Sequence, residues 1–273
     1  MSNTALLASA KRVVIKVGSS SITGENEANL DHIVDLAVRL MHSGKEVILV
    51  SSGAIATAAP LIGLTVKSED LATSQALAAI GQAKLMSRYE RSLSRHNLMP
   101  GQILLTVDNL DEENTSENAL RALERLLEIG VLPVINENDS VATHEPVINE
   151  HDSAATHEIR LGDNDQRAAR VALLATADLL VLLTDIDALY TRPPSEDGAE
   201  PITVVTDERQ LENIQVSGTS TGYGTGGALT KVAAARMATA GGVGVLLTSA
   251  SNVDFLDSHD CRHTWFQAQK QRD

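Results

Sequence analysis

Short apolar runs alternate with longer stretches of helical periodicity along most of the chain. Arg12–Val17 (RVVIKV), Glu46–Val50 (EVILV), 101–106, 131–135, 179–183 (LLVLL) and 243–247 are brief and rich in branched aliphatic residues, so they predict buried strands. Between them, Leu30, Ile33, Val34, Ala37, Leu40 and Met41 recur at helical spacing, and Gly44 follows as a stop signal. Residues 70–97, 115–128, 165–177 and Ala228–Ala240 predict further helices, two of them stopped by Gly130 and by Gly241-Gly242. An apolar stretch at 5–10 runs directly into the first strand. Strands alternating with helices imply a mostly parallel sheet with helices on both faces. No linker-like segment divides the chain, and the Pro-flanked stretch 193–201 reads as a surface loop. The expectation is one continuous α/β domain with two lobes.

Composition narrows the core and the partners. Aromatic residues make up only 2 % of the 273 residues against 43 % hydrophobic, so the interior must be built from Ala, Val, Leu and Ile. A net charge of −14 argues against a nucleic-acid partner, which needs a basic footprint, but not against a nucleotide held by a few lysines and backbone amides. Cys261 is the single cysteine, the 5–10 stretch is too short for a signal h-region, and no segment reaches the length of a membrane span. A cytosolic protein without membrane attachment is expected.

Glycines gather where strands end and helices begin: Lys16-Val17-Gly18-Ser19-Ser20, Ser51-Ser52-Gly53 and 222–227 (GYGTGG). Such turns let backbone N–H groups close on an anion at a helix N-terminus, beyond the carboxyl edge of the sheet. None is a P-loop or a dinucleotide fingerprint. Lys16 interrupts an apolar strand at its carboxyl end, where it either snorkels to water or faces an anion. Lys231 falls in the first turn of its helix, against the macrodipole, which suggests that a bound anion compensates it. Gly162-Asp163-Asn164-Asp165 sets two carboxylates and an amide at a helix mouth, as a cap, a lysine-orienting group or a metal–phosphate ligand. Thr184-Asp185 closes the most apolar strand. Zinc-site spacing and a G-x-S-x-G elbow are both missing, and His144 and His157 read as loop residues.

Those two histidines belong to a tandem duplication. Residues 133–145 (PVINENDSVATHE) and 146–158 (PVINEHDSAATHE) differ only at Asn138/His151 and Val141/Ala154. Two short copies make no solenoid, so this is a local duplication.

Taken in order, VVIKVGSS (13–20), ILVSSGAIA (48–56), QALAAIGQAKLM (75–86), VLPVINENDSVAT (131–143), RLGDND (160–165), LLVLLTDIDALYT (179–191) and GTGGALTK (224–231) resemble the amino acid kinase superfamily. Within it they resemble the branch that phosphorylates the side-chain carboxylate of glutamate, the first step of proline synthesis. The resemblance implies a three-layer αβα sandwich around a mostly parallel sheet. It places the amino acid on an N-terminal lobe, about 1–170, and MgATP on a C-terminal lobe, about 171–273. Lys16 and Lys231 would neutralise the transferring phosphoryl group, and Asp165 would orient them. Ser52, Gly53, Asn164 and either Asp139 or Asp152 would contact glutamate. Gly18, Thr184, Asp185, Gly224, Thr225, Gly226, Gly227 and Lys231 would contact the nucleotide. Magnesium would be held mainly by the phosphates, with no protein metal site.

Further family expectations are feedback inhibition by proline and a homodimer or homotetramer. A C-terminal PUA module would need about 100 further residues, so none is expected. The sequence departs from the family at Thr57-Ala58-Ala59-Pro60, where a glycine is usual, and at Ala188, also usually glycine. The duplication lies in the amino-acid loop. Asp139 continues the strand from Val131, whereas Asp152 abuts GDND, and one copy must be extruded. The competing readings are a sister kinase with another acidic acceptor, and a disabled amino-acid-binding sensor.

Overall fold

The six predicted strands form and pair, and four short strands of two or three residues that the sequence did not announce join them. They are β1 (Arg12–Val17), β2 (Glu46–Val50), β3 (Pro100–Leu105), β4 (Leu132–Glu137), β5 (Leu179–Thr184), β6 (Leu189–Tyr190), β7 (Pro201–Ile202), β8 (Val204–Val205), β9 (Gly244–Ser249) and β10 (Thr264–Phe266). The computed structural model describes residues 1–63, 70–141, 163–192, 194–207 and 228–269. Eight of these strands make one sheet in the order β3-β4-β2-β1-β5-β9-β10-β8, parallel throughout except between β9 and β10. A short antiparallel pair, β6 and β7, stands beside it.

β1 sits at the centre, and the chain changes direction around it. From β1 it moves to β2 and on to the edge strand β3, turns back to place β4 between β3 and β2, and then lays β5 against the other side of β1. Val13 faces Val47 on one flank and Leu179 on the other, so β1 is buried on both edges as well as both faces. In an open α/β sheet the crevice beyond the carboxyl ends at such a switch point is where ligands sit. Here that crevice opens beside Val17-Gly18 and Thr184-Asp185.

Alternation along the strands sorts the core into two layers. Val13, Ile15, Val17, Val47, Leu49, Val181 and Leu183 pack on one face with α1 (Asn3–Ser9), α2 (Asn29–His42) and part of α4 (Leu71–Ser94). Val14, Ile48, Val50, Leu180, Leu182 and Leu247 pack on the other with α6 (Glu113–Glu128), α7 (Asp163–Leu174) and α8 (Ala228–Ala240). This is the expected αβα sandwich. The helices beneath the sheet are Ala-rich: Ala168, Ala169 and Ala172 of α7, and Ala234, Ala235 and Ala238 of α8, are buried. Small residues let α7 and α8 approach closely enough to share a site at their N-termini.

Two details differ from the sequence reading. The 5–10 stretch does not feed straight into a strand: it belongs to α1, capped where the Ser2 hydroxyl accepts from the Ala5 N–H. Two short helices, α3 (Ala54–Ile62) and α5 (Val107–Asp111), had no clear periodicity to announce them. α3 is brief, Ala-rich and interrupted by Pro60, and its N-terminus is set by Gly53 at φ 96°.

Gly81 explains how α3 is held. A methyl group on Gly81 of α4 would lie 1.7 Å from the carbonyl oxygen of Ala54, the first residue of α3. That contact is with backbone, which cannot swing aside. Gly81→Ala is therefore expected to lower stability by about 1–3 kcal/mol through overpacking, read as a fall in the urea midpoint, while Lys84→Ala on the exposed face leaves it nearly unchanged.

Candidate active site

Lys16 is the point from which the site is built. It alternates with Val14 and Ile48 onto the α7–α8 face of the sheet, so its stem runs through apolar surroundings. The side chain is only 9 % exposed, and its Nζ lies 2.7 Å from Oδ1 of Asp165 in the first turn of α7. It does not snorkel to water. Lys231, in the first turn of α8, brings its Nζ to 3.8 Å from the other carboxylate oxygen of Asp165, and Thr230 donates to that oxygen at 3.2 Å. The compensation for Lys231 at a helix N-terminus is thus supplied at least in part by a buried carboxylate.

The electrostatics follow from burial and charge count. Burial pushes the Asp165 carboxyl up, but Lys16, Lys231 and their hydrogen bonds outweigh it, and its pKa lies below the ordinary carboxylate value. Burial pushes Lys231 down, Asp165 pulls it up, Lys16 pushes it down again, and the net result is a lowered lysine pKa. Two ammonium groups against one carboxylate leave the pocket with surplus positive charge. Such a centre suits a polyanion.

Around it stand the other predicted residues. Ser51, Ser52 and Gly53 follow β2; the Ser51 N–H donates to the Ile135 carbonyl, and its hydroxyl pairs with the Tyr89 hydroxyl at 2.8 Å. Tyr89 is fully buried, and burial pushes its phenol up to about 12 against the opposing Ser51 hydrogen bond, so it stays neutral. Ser52 is buried, and its hydroxyl has no hydrogen-bond partner among the described residues. A buried hydroxyl without a partner is costly unless a ligand completes it. Gly53 packs against the loop after β1: a methyl group there would lie 3.4 Å from Ser19 Cα. On Gly18 a methyl group would come 3.6 Å from Lys16 Nζ. Two of the three glycine turns are therefore adjacent, beside the lysine.

Thr184 is buried at the end of β5 and donates to Asp185 at 2.8 Å; Asp185 is exposed, and its charge acts on Lys231. On the other side, the chain leaving β4 turns at Asn138, which accepts from Ser140. Asp139 there joins Gln82, Gln102 and Glu137 in lining a cavity of about 310 Å³. Asn164, next to Asp165, accepts a hydrogen bond from Arg167. Asp152 and Gly224, Thr225, Gly226 and Gly227 lie outside the described residues.

Arg167 escaped the sequence reading. It is fully buried and pairs with Glu137 at 2.6 Å. The signal was present, since Arg167 shares the apolar stripe Ala168–Val171–Ala172 of α7, where a charge demands a partner.

Comparisons with known proteins identify the family of the chain. The model of the amino acid kinase family matches residues 11–249. Glutamate 5-kinase of Clavibacter michiganensis subsp. michiganensis is 50 % identical over 95 % of this chain and 95 % of its own. Glutamate 5-kinase of Leifsonia xyli subsp. xyli is 49 % identical over 94 % of this chain and 91 % of its own. In fold, the chain is similar to carbamate kinase from Giardia lamblia bound to AMP-PNP, with a TM-score of 0.61 at 15 % identity over 95 % of this chain and 99 % of that one.

The buried charges give a stability test. Asp165→Asn keeps the shape but leaves two lysines facing each other, so it is expected to cost about 3–5 kcal/mol at neutral pH. Because the folded-state pKa is depressed, this contribution is complete above the ordinary carboxylate range and is lost as pH falls through the folded value. Denaturant titrations of the two proteins should therefore differ at pH 7 and converge in strong acid.

Proposed function

The chain belongs to the amino acid kinase family, and within it to the glutamate 5-kinases; from that premise we propose how its residues move the γ-phosphoryl group of ATP to the side-chain carboxylate of L-glutamate. The product is L-glutamyl 5-phosphate, which enters proline synthesis. The observation that carries the residue assignment is the buried Lys16–Asp165–Lys231 centre at the carboxyl edge of β1.

The chemistry needs positioning and charge neutralisation more than proton transfer. The attacking carboxylate has a reference pKa of about 4.3 and is already ionised near neutrality, so no general base is required. One of its oxygens forms the new bond to phosphorus as the bond to the leaving ADP oxygen breaks. Repulsion between the carboxylate and the triphosphate is the main obstacle, and Lys16 and Lys231 offset it from two sides. Asp165 holds both ammonium groups in place. Ser52, Gly53, Asn164 and Asp139 orient the amino acid from the β2 turn, the start of α7 and the β4 turn. Gly18, Thr184, Asp185 and the 224–231 segment receive the nucleotide.

Among the described residues no group of three or more His, Cys, Asp or Glu is gathered for a metal. Magnesium, when bound, would be carried chiefly by the triphosphate, where it would neutralise phosphate charge. The proposal extends to proline as a feedback inhibitor, to a dimeric or tetrameric assembly, and to the cytosol as the place of action. No helix among the described residues is long and apolar enough to cross a membrane.

ADP release with MgATP and hydroxylamine tests the reaction. Hydroxamate should form with L-glutamate and not with N-acetyl-L-glutamate, L-aspartate or UMP; a better acceptor among these would transfer the assignment to a sister kinase. Lys16→Ala and Lys231→Ala should each lower kcat by roughly 10²–10³-fold or more, with the fold retained. Near-normal turnover in both would remove the mechanism.

The lowered pKa of Lys231 adds a pH signature. Its cationic form is lost at lower pH than for an ordinary lysine, so kcat/KM for ATP should fall on an alkaline limb that lies below the ordinary lysine range. Lys231→Arg, which keeps its charge, should move that limb upward. An unmoved limb would assign it to another group.

A further inference from the structure

We propose that Arg167 is a positioning residue that decides which end of the Asn164 amide meets the acceptor amino acid. The proposal rests on the reading of Asn164 as a glutamate contact.

A guanidinium can only donate hydrogen bonds. Its Nη1 reaches the side-chain amide of Asn164, so the atom facing it must be the oxygen, Oδ1. The amide NH₂ is then directed away from Arg167, and an NH₂ can only donate. It is suited to an anionic oxygen and unsuited to an ammonium group. Asn164 directly precedes Asp165, the carboxylate that pairs with both lysines, in the first turn of α7. An NH₂ so placed favours the acceptor carboxylate.

The same guanidinium reaches the opposite wall. Its Nη2 binds the Glu137 carboxylate at 2.6 Å, with the Arg167 side chain 0 % exposed and that of Glu137 13 % exposed. Glu137 ends β4 and stands two residues before Asp139. Asn136, just before it, spends its amide on the fold, donating to Gln82 and accepting from the Glu137 N–H. Arg167 thus ties the β4 turn to the first turn of α7 with one rigid fork. Its spacing from Asn164 is one helical turn on the same face, so the two stay in register. A lysine would supply charge without the fork that meets two separate acceptors.

If Arg167 only stabilised the fold, restoring charge balance would restore function. The paired substitution Glu137→Gln/Arg167→Met removes both charges together, which buried pairs tolerate far better than loss of one partner. It also frees the Asn164 amide to turn over. The KM for glutamate should rise roughly tenfold or more, with the KM for ATP within about twofold of the parent, a loss confined to acceptor binding. An unchanged glutamate KM, or an equal rise for ATP, overturns the proposal.

Asn164→Asp, with Arg167 intact, decides the orientation independently and keeps the bond to the guanidinium. If the NH₂ faces the acceptor carboxylate, a carboxylate there repels it, and the glutamate KM rises by a similar factor. If the oxygen faces the acceptor ammonium, the KM is unchanged or falls, and the proposal is wrong. The parent enzyme is assayed alongside with hydroxylamine. Absence of glutamyl hydroxamate from the parent would sink the functional reading, whereas an active parent with unaffected variants sinks only the role of Arg167.

Discussion

Two ammonium groups share one buried carboxylate, and the architecture is arranged so that they can. Lys16 reaches Asp165 only because β1 is the central strand and its alternation sends residue 16 to the α7–α8 side. Lys231 reaches it only because small side chains bring α7 and α8 together. The cost of burying these charges is offset within the cluster, and the uncompensated cation remains. The protein as a whole carries −14, so the positive centre is local and enclosed. Anionic substrates meet a chain that repels them at a distance and a cleft that holds them at short range.

The walls divide the work. Loops after β2 and β4 form one side, where the buried Ser52 hydroxyl has no hydrogen-bond partner among the described residues and Asp139 borders a cavity. The end of β5 forms the other, where Thr184 and Asp185 lie beside Lys231. Tyr89 steadies the β2 turn through Ser51, Gly81 seats α3 against α4, and Arg167 fastens the β4 turn to α7.

Much of this could be read from residues, for a physical reason. Buried parallel strands are continuous apolar runs, so β1, β2 and β5 stood out. Lys16 was visible because a cation in such a run has to be answered. What answered it was not visible, since pairing between Lys16 and Asp165 is a property of the packed layers. Lys231 was read as waiting for an anion, and the fold supplies a carboxylate. α3 and α5 were missed because short helices live on caps and packing more than on periodicity. Arg167 looked like one more polar residue of a helix until its neighbours on the stripe were known to be buried. The duplicated loop defines a limit of another kind: Asp139 falls at the end of β4 as continuity from Val131 required, while Asp152 lies outside the described residues.

The position of β1 also governs how the molecule comes into being. Its two partners are β2, close in sequence, and β5, which places Val13 opposite Leu179. The first strand translated must wait through more than half the chain for its second edge to be covered. Lys16 is separated from Asp165 by a stretch nearly as long as that pairing, and Lys231 lies farther on, so loop closure precedes any gain from their contact. High contact order of this kind makes late events of the sheet's centre and of the charged cluster together. A folding intermediate with native helices and the β2–β4 pairing in place still lacks catalytic power, so recovery of turnover marks the final step of refolding and not the collapse that precedes it.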